Sequence, residues 1–451
     1  MITRRSFLAG AAGSLAGLSL AGTFNGINGI GKKIRVALIG TGWYGKSDLL
    51  RLLQVTSAET AALCDVDRDQ LRQADELIRQ RHPGSKPELF TDYARMLSQV
   101  RPDVVIIGTP DHWHALTCIE SLKSGAHVYV QKPISIDVME GEAMVAAARK
   151  YKRVVQVGLQ RRSTPHLLEA RKNILDTGLL GKIRHVEMCC YYHMRGHTGS
   201  TSIPVPTHLD YDLWVGPAPK RNYTQLPHRG WWRAYMEYSN GIMGDMCVHM
   251  FDAVRWMLNL GWPEKISSSG GIFMDKSSDS NTADTQTALF EYPELNCVWH
   301  HRTWGTSVNP DYPWAFTLYG EKGTLWCSTT RYDFYPADTT QKPIHGEVLY
   351  EREKFPEDVT EKDIELHCAP ATRAHFADFF NAIASGNSPV ANISEGHIST
   401  ASCILANLSM KLGRPLSYDP ATRTIIGDSE ATGLLIRAYR DGWVHPHPDR
   451  V

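Results

Sequence analysis

The sequence predicts an α/β protein in two parts. Residues 31–155 form a parallel, doubly wound sheet, and residues 156–451 an α+β region with an open, predominantly antiparallel sheet. Three observations predict this. Short apolar runs without alternation, such as Val36-Ala37-Leu38-Ile39, Val104-Val105-Ile106-Ile107 and His127-Val128-Tyr129-Val130, recur between helical patterns as far as Tyr151; strands buried on both faces look like this. Beyond Arg162 the β-like runs lengthen and partly alternate, as in Thr287-Ala288-Leu289-Phe290-Glu291 and Trp314-Ala315-Phe316-Thr317-Leu318, the pattern of a sheet with one covered face. The chain has 451 residues, more than one typical domain.

Residues 1–30 read as a signal and linker. Thr3-Arg4-Arg5-Ser6-Phe7-Leu8 is a twin-arginine motif, followed by an apolar Gly/Ala-rich run over residues 7–21 with small residues for cleavage after Ala21. That run is too short for a transmembrane helix, and no lipoprotein cysteine follows it. The protein is expected in a periplasm or outside the cell, soluble after export. Nine cysteines are scattered without a CxxC pair. Twin-arginine substrates fold in a reducing cytosol, so buried free thiols are expected rather than disulfides. Formal net charge is zero, which gives no reason to expect nucleic acid or an anionic membrane as partner.

The first apolar run leads into Gly40-Thr41-Gly42-Trp43-Tyr44-Gly45, and Ala61-Ala62-Leu63-Cys64 ends at Asp65. This is the order of a Rossmann dinucleotide fingerprint. Gly40 makes the tight turn, Gly42 admits a pyrophosphate, Gly45 lets the helix pack, and Asp65 accepts from the adenosine ribose. Asp65 repels a 2′-phosphate and favours NAD, while Arg68 leaves NADP open. Two further strand ends face the same crevice: Thr109-Pro110-Asp111-His112-Trp113-His114, and Gln131-Lys132-Pro133. The expected cofactor-binding residues are therefore Gly40, Gly42, Trp43, Tyr44, Gly45, Asp65, Thr109, Pro110, His112, His114, Gln131 and Lys132. An ammonium at Lys132 can also stabilise an alkoxide as hydride leaves.

Helices are expected at 115–124, 137–150, 373–385 and 394–412, and residues 203–227 form a long loop of the functional or covering kind. Residues 241–258 read as an amphipathic helix with Asp245 and His249 on one face. A carboxylate beside an imidazole holds its tautomer, and the ordinary histidine pKa of about 6.5 suits a base. Asp252 and Arg255 follow one turn later. His193, His300 and His301 have no zinc-type spacing, and no metal is expected. The run His228-Arg229-Gly230-Trp231-Trp232-Arg233 offers aromatic faces and guanidinium forks, the groups that grip sugars. Expected substrate contacts are Arg161, Tyr192, His193, Trp231, Trp232 and Arg233.

On Ala37-Leu38-Ile39-Gly40-Thr41-Gly42, Thr109-Pro110-Asp111-His112-Trp113-His114, residues 125–133, Leu213-Trp214-Val215-Gly216-Pro217 and residues 241–252, the chain resembles the glucose–fructose oxidoreductase / inositol dehydrogenase / rhizopine-catabolism (Gfo/Idh/MocA) family. The resemblance implies a two-domain enzyme whose open sheet forms the interface of a homo-oligomer, a dimer or tetramer. It implies that Lys132 touches cofactor and substrate, and that Asp245 and His249 are the catalytic pair, with His249 the proton acceptor. Two departures stand out. Gln131 replaces the usual glutamate before Lys-Pro, and the glycine-rich stretch before Asp245 is reduced to Gly241 and Gly244.

Export adds one constraint. No soluble nucleotide pool exists outside the cytosol, so the cofactor is expected to travel bound and to be regenerated in place. Either a sugar or glycoside hydroxyl is oxidised and a second carbonyl compound closes the cycle, or oxidation, elimination and re-reduction make a redox-neutral glycosidase. A third possibility is a carbohydrate-binding protein on a retained scaffold.

Overall fold

The computed structural model describes residues 33–192, 201–224 and 231–451. The expected export signal, His193 and residues 228–230 lie outside the described residues, as does the side chain of Trp231. No helix of the described residues is long and apolar enough to cross a membrane.

The first sheet contains β1 (Arg35–Ile39), β2 (Glu59–Cys64), β3 (Glu88–Phe90), β4 (Val104–Ile107), β5 (His127–Val130) and β6 (Val155–Val157). All pairs are parallel, in the order β3-β2-β1-β4-β5-β6. Every residue of β4 is buried, as its unbroken apolar run requires. Helices α1 (Trp43–Val55), α2 (Arg68–Arg81), α3 (Tyr93–Val100), α4 (His114–Lys123) and α5 (Val138–Tyr151) connect the strands. The strand order reverses between β1 and β4, which opens the ligand crevice at their C-terminal ends. Asp67, Asp92 and Asp137 cap α2, α3 and α5 with their side chains, whereas α1 starts at Gly42 with no side-chain cap.

The second sheet has eight strands, β7 (Ile183–Cys190), β8 (Lys265–Gly271), β9 (Thr285–Tyr292), β10 (Leu295–Arg302), β11 (Trp314–Gly320), β12 (Gly323–Ser328), β13 (Arg331–Pro336) and β14 (Ile344–Glu347). They lie in the order β14-β13-β12-β11-β7-β10-β9-β8, antiparallel except where β10 pairs with β7. Along β10, Leu295, Cys297, Trp299 and His301 are buried and the residues between them are not. After short helices α6 (Pro165–Ala170) and α7 (Tyr211–Val215) come α8 (Val248–Leu258), α9 (Ala369–Ser385) and α10 (Ile393–Leu412). The face carrying Phe290 packs on α8, where Phe251 stacks on that ring at 4.2 Å.

Three expectations need correction. The long loop expected over residues 203–227 carries helix α7. Residues 241–258 are not one regular helix, because a π-turn over Met243–Cys247 precedes α8. Helix α9 starts at Ala369, four residues early, since Pro370 is tolerated in a first turn. All nine cysteines are free thiols, and all but Cys189 are buried.

From Ile34 onward the chain is one compact unit. Helix α9 packs on α1 and α10 on α5. Arg51 of α1 pairs with Asp358 at 2.8 Å. The segment after Leu434 returns to α5, where the Arg437 N–H donates to Asp137 at 2.9 Å and His445 Nε2 lies 2.8 Å from the same carboxylate.

Candidate active site

The glycine turn fits a dinucleotide. Gly40 has φ +87°, and a Cβ there would lie 2.6 Å from the Gly108 and Thr109 backbone. A Cβ on Gly45 would sit 2.0 Å from the Gly40 carbonyl. Both glycines are thus fixed by packing. A Cβ on Gly42 would meet nothing within 4 Å, so this residue borders open space at the uncapped start of α1, where free N–H groups favour an anion. Asp65 accepts from the Thr41 N–H at 2.7 Å, the Thr41 hydroxyl at 3.0 Å and the Asp67 N–H at 2.9 Å. These bonds hold its half-buried carboxylate beside the loop. Tyr44 accepts from Gln160 at 2.8 Å and meets the exposed Trp43 edge-on.

The other two strand ends are stitched together. The His114 ring lies between the Pro133 carbonyl at 2.7 Å and the Thr109 carbonyl at 2.9 Å. His112 Nε2 lies 3.0 Å from the Trp214 carbonyl, which also accepts from the Trp113 indole. Burial lowers both imidazoles to about 4. Both nitrogens of His114 face backbone carbonyls, whereas His112 keeps a buried Nδ1 without a partner. Gln131 is likewise engaged, donating to buried Asp48 at 2.6 Å. Thr109 keeps a buried hydroxyl without a partner.

Lys132 and Asp245 meet across the crevice. The ammonium donates to Asp245 Oδ1 at 2.5 Å and to the Asp245 carbonyl at 3.0 Å. Arg233 Nε lies 3.1 Å from the same carboxylate oxygen. Burial works against the Asp245 charge, but Arg233 and Lys132 hold its carboxyl below the usual range. The expected Asp245–His249 bond does not form, because Lys132 and Arg233 claim the carboxylate across the π-turn between them. His249 is 3% exposed and its Nδ1 has no hydrogen-bond partner. Burial first, then Lys132, Arg161 and Arg233, push its pKa well below the ordinary value. It is a neutral imidazole whose Nδ1 is left open to a ligand.

An aromatic wall closes the site. Trp314 packs edge-on to His249 at 5.4 Å and to Tyr192 at 6.1 Å, lies under the Arg161 guanidinium at 5.2 Å, and donates its indole N–H to the Met246 carbonyl. Arg161 Nη2 also reaches Cys368 Sγ at 3.1 Å. Trp232 is buried under Arg233 at 4.2 Å. The alternation of β11 marks Trp314 for the core; it is half-buried instead, at the strand end facing the site. Asp111 is a second residue that motif reasoning left out of the candidate set: it is 1% exposed, and its Oδ2 lacks a hydrogen-bond partner.

Other candidates lie elsewhere. Asp252 and Arg255 belong to a buried network with Arg162, Glu395 and Ser399. His300 bonds Tyr191, and His301 accepts from the Trp299 indole. Among the described residues the one cluster with metal-ligand spacing is Asp137, Glu140 and His445, whose members already bond to one another or to the returning segment.

Comparison with known proteins bears on the fold and the family. Residues 34–159 match the profile of the Gfo/Idh/MocA oxidoreductase family, NAD-binding Rossmann fold, and residues 168–269 and 339–445 match that family's C-terminal α/β domain. Glycosyl hydrolase family 109 protein 1 of Akkermansia muciniphila is 26% identical over 172 residues, 36% of this chain and 34% of that protein. A glycosyl hydrolase family 109 protein of Shewanella baltica is 30% identical over 168 residues, 36% of each. The matched stretch thus spans about a third of these relatives' length. Among solved structures, levoglucosan dehydrogenase with NADH and levoglucosan superposes with TM-score 0.64 at 16% identity, covering 86% of this chain and 99% of that one. Aldose-aldose oxidoreductase from Caulobacter crescentus gives 0.63 at 17%, covering 86% and 100%. With its NAD-binding Rossmann half and its second domain both matched, the chain belongs to the Gfo/Idh/MocA oxidoreductase family.

Proposed function

We propose that the protein is an exported, NAD-dependent oxidoreductase acting on a hydroxyl of a sugar or glycoside, with its cofactor held captive and recycled in place. The observation that carries this reading is the meeting of Lys132 with Asp245 beside the unbonded Nδ1 of His249, at the crevice where the glycine turn would hold the nucleotide. NAD, when bound, supplies the hydride acceptor. Lys132 donates to the reacting oxygen, Asp245, itself paired with Arg233, fixes the ammonium, and His249 receives the hydroxyl proton. The aromatic wall of Trp314 and Tyr192 offers C–H stacking to a sugar ring. The open face of the eight-stranded sheet is the surface for self-association in this reading.

Captivity has a structural counterpart. A segment of the second domain anneals to the chain just past Asp65: the Arg68 N–H donates to His208, the Asp210 N–H donates to Val66, and Asp67 bridges Leu209. His208 Nδ1 lies 2.8 Å from Asp67. This strap covers the strand end where the adenosine ribose belongs.

The glycosyl hydrolase family 109 relatives and the alpha-N-acetylgalactosaminidase of Shewanella oneidensis favour a second reading: a redox-neutral glycosidase that oxidises, eliminates and reduces again. Mass spectrometry of nucleotide released from undialysed protein tests the first claim, with one NAD per chain expected. A stable keto-sugar product then selects net oxidation, and glycoside cleavage selects the second reading. A protein that neither holds nor binds NAD sinks both.

A further inference from the structure

Asp111 directly precedes the two histidines of the Thr109–His114 turn, and its carboxyl Oδ2 has no partner while their rings reach backbone carbonyls. His112, Trp113 and His114 all reach backbone carbonyls, tying the turn to Pro133 on one side and Trp214 on the other. Asp111 is as enclosed as Lys132, Asp245 and His249, yet no described donor reaches its Oδ2. An ionised carboxylate left this way is costlier still than an unpartnered neutral polar group. A fold keeps such a group for a ligand or for a proton.

The charges acting on Asp111 are those of the site: Arg233 on the segment before the π-turn, Lys132 after β5, Asp245 in the π-turn, and Arg437 on the returning segment. Burial outweighs the three cations and lifts the Asp111 carboxyl to about 8. Asp245, in the same cluster, is held ionised. One crevice therefore holds an ion-paired carboxylate and an unpaired, proton-bearing carboxyl, two carboxyls with separate roles.

We propose that Asp111 is a second catalytic carboxyl, the acid that protonates the departing oxygen of a glycoside. This inference rests on the redox-neutral reading. Once the ring hydroxyl has become a ketone, the adjacent C–H proton passes to water and the glycosidic C–O bond breaks. The Asp111 O–H bond breaks with it, and its proton converts the departing oxygen to a free alcohol, leaving an unsaturated ketone. The new carboxylate is stabilised by Lys132 and Arg233. Water then adds across the double bond: its hydroxyl goes to the ring carbon, its proton returns to Asp111, and a second proton from water restores the C–H. Re-reduction of the ketone completes a net hydrolysis.

The test compares full-length wild type and Asp111→Asn, each loaded with NAD, on methyl and para-nitrophenyl α-N-acetylgalactosaminides. Expected is a loss of roughly 10²–10⁴-fold on the methyl glycoside and less than about tenfold on the activated one, the range of general acid catalysis. The variant keeps its NAD and still exchanges the substrate C–H for solvent deuterium. The infrared carbonyl band of a protonated acid, present in the wild type at neutral pH, disappears in the variant. Equal losses on both substrates, loss of NAD, or absence of that band overturns the role of Asp111 alone. A wild type that makes a keto-sugar and cleaves neither glycoside overturns the redox-neutral reading, and this role with it.

Discussion

The Gln131 amide donates to Asp48 across 2.6 Å, joining the residue before Lys132 to helix α1 beneath the glycine turn. Both side chains are buried, Asp48 Oδ1 has no donor, and burial lifts the Asp48 carboxyl to about 8. A glutamate at 131 would face a second carboxyl in the same pocket, and two buried acids resist ionising together. Gln131→Glu should lower stability by about 1–3 kcal/mol, read by urea denaturation, and Asp48→Asn in the same chain should restore it. Independent effects of the two changes would show that the residues are not coupled.

Lys132 and Arg233 share one counter-charge in Asp245. Asp245→Ala leaves the buried ammonium unpaired and should cost about 3–5 kcal/mol, seen as a lower thermal midpoint. Lys132→Ala should abolish turnover while the protein still carries NAD. Turnover unchanged in Lys132→Ala would remove that residue from the mechanism.

The returning segment is fixed by charge as well as packing. Burial opposes protonation of His445, but Asp137 and Glu140 prevail and raise its pKa. The stabilisation from this raised pKa is full below the ordinary histidine value of about 6.5, and fades as pH climbs through the raised one. Protease nicking beyond Leu434 should therefore quicken with rising pH, and His445→Gln should flatten that dependence. A wild-type profile without slope would dismiss the latch.

Arg437 fastens the same segment to the site. Its guanidinium donates to the Met236 and Ser239 carbonyls and to Asn240, just before the π-turn that carries Asp245, and the Asn240 amide reaches the Ile136 carbonyl. Arg437→Met should lower kcat more than it changes nucleotide content, because the carbonyls it holds set the position of Asp245. Unaltered kcat would confine Arg437 to a packing role.

The strap past Asp65 predicts a kinetic effect. His208 is part-exposed, and a polar contact of this kind contributes about 0.2–1 kcal/mol. His208→Ala should speed NAD release up to about fivefold, measured by loss of nucleotide on repeated gel filtration. An unchanged rate would place the strap outside the exit route.

The first sheet was legible because its code is local. Unbroken apolar runs, three glycines and one carboxylate each have a single steric reason, and Gly40 and Gly45 show it in the contacts a Cβ would make. Lys132, Asp245 and His249 were legible as a set. The bond between the last two was misread, because residue spacing assumes 3.6 residues per turn and the π-turn at Met243–Cys247 departs from it. Asp111 and Trp314 were hidden for a different reason. Inside their strings each has an ordinary structural use, and only residues far off in the chain, Lys132, Arg233 and His249, give them another.

The chain crosses between its halves repeatedly, through α9 on α1, α10 on α5, the ion pair of Arg51 with Asp358, and the segment after Leu434. A molecule laced this way has no single hinge about which its halves can swing. Ligand traffic must pass over the rim rather than between parted lobes. Natural variation in what the crevice admits should then accumulate at part-exposed positions such as Arg233 and Tyr192, while the lacing beneath them stays fixed.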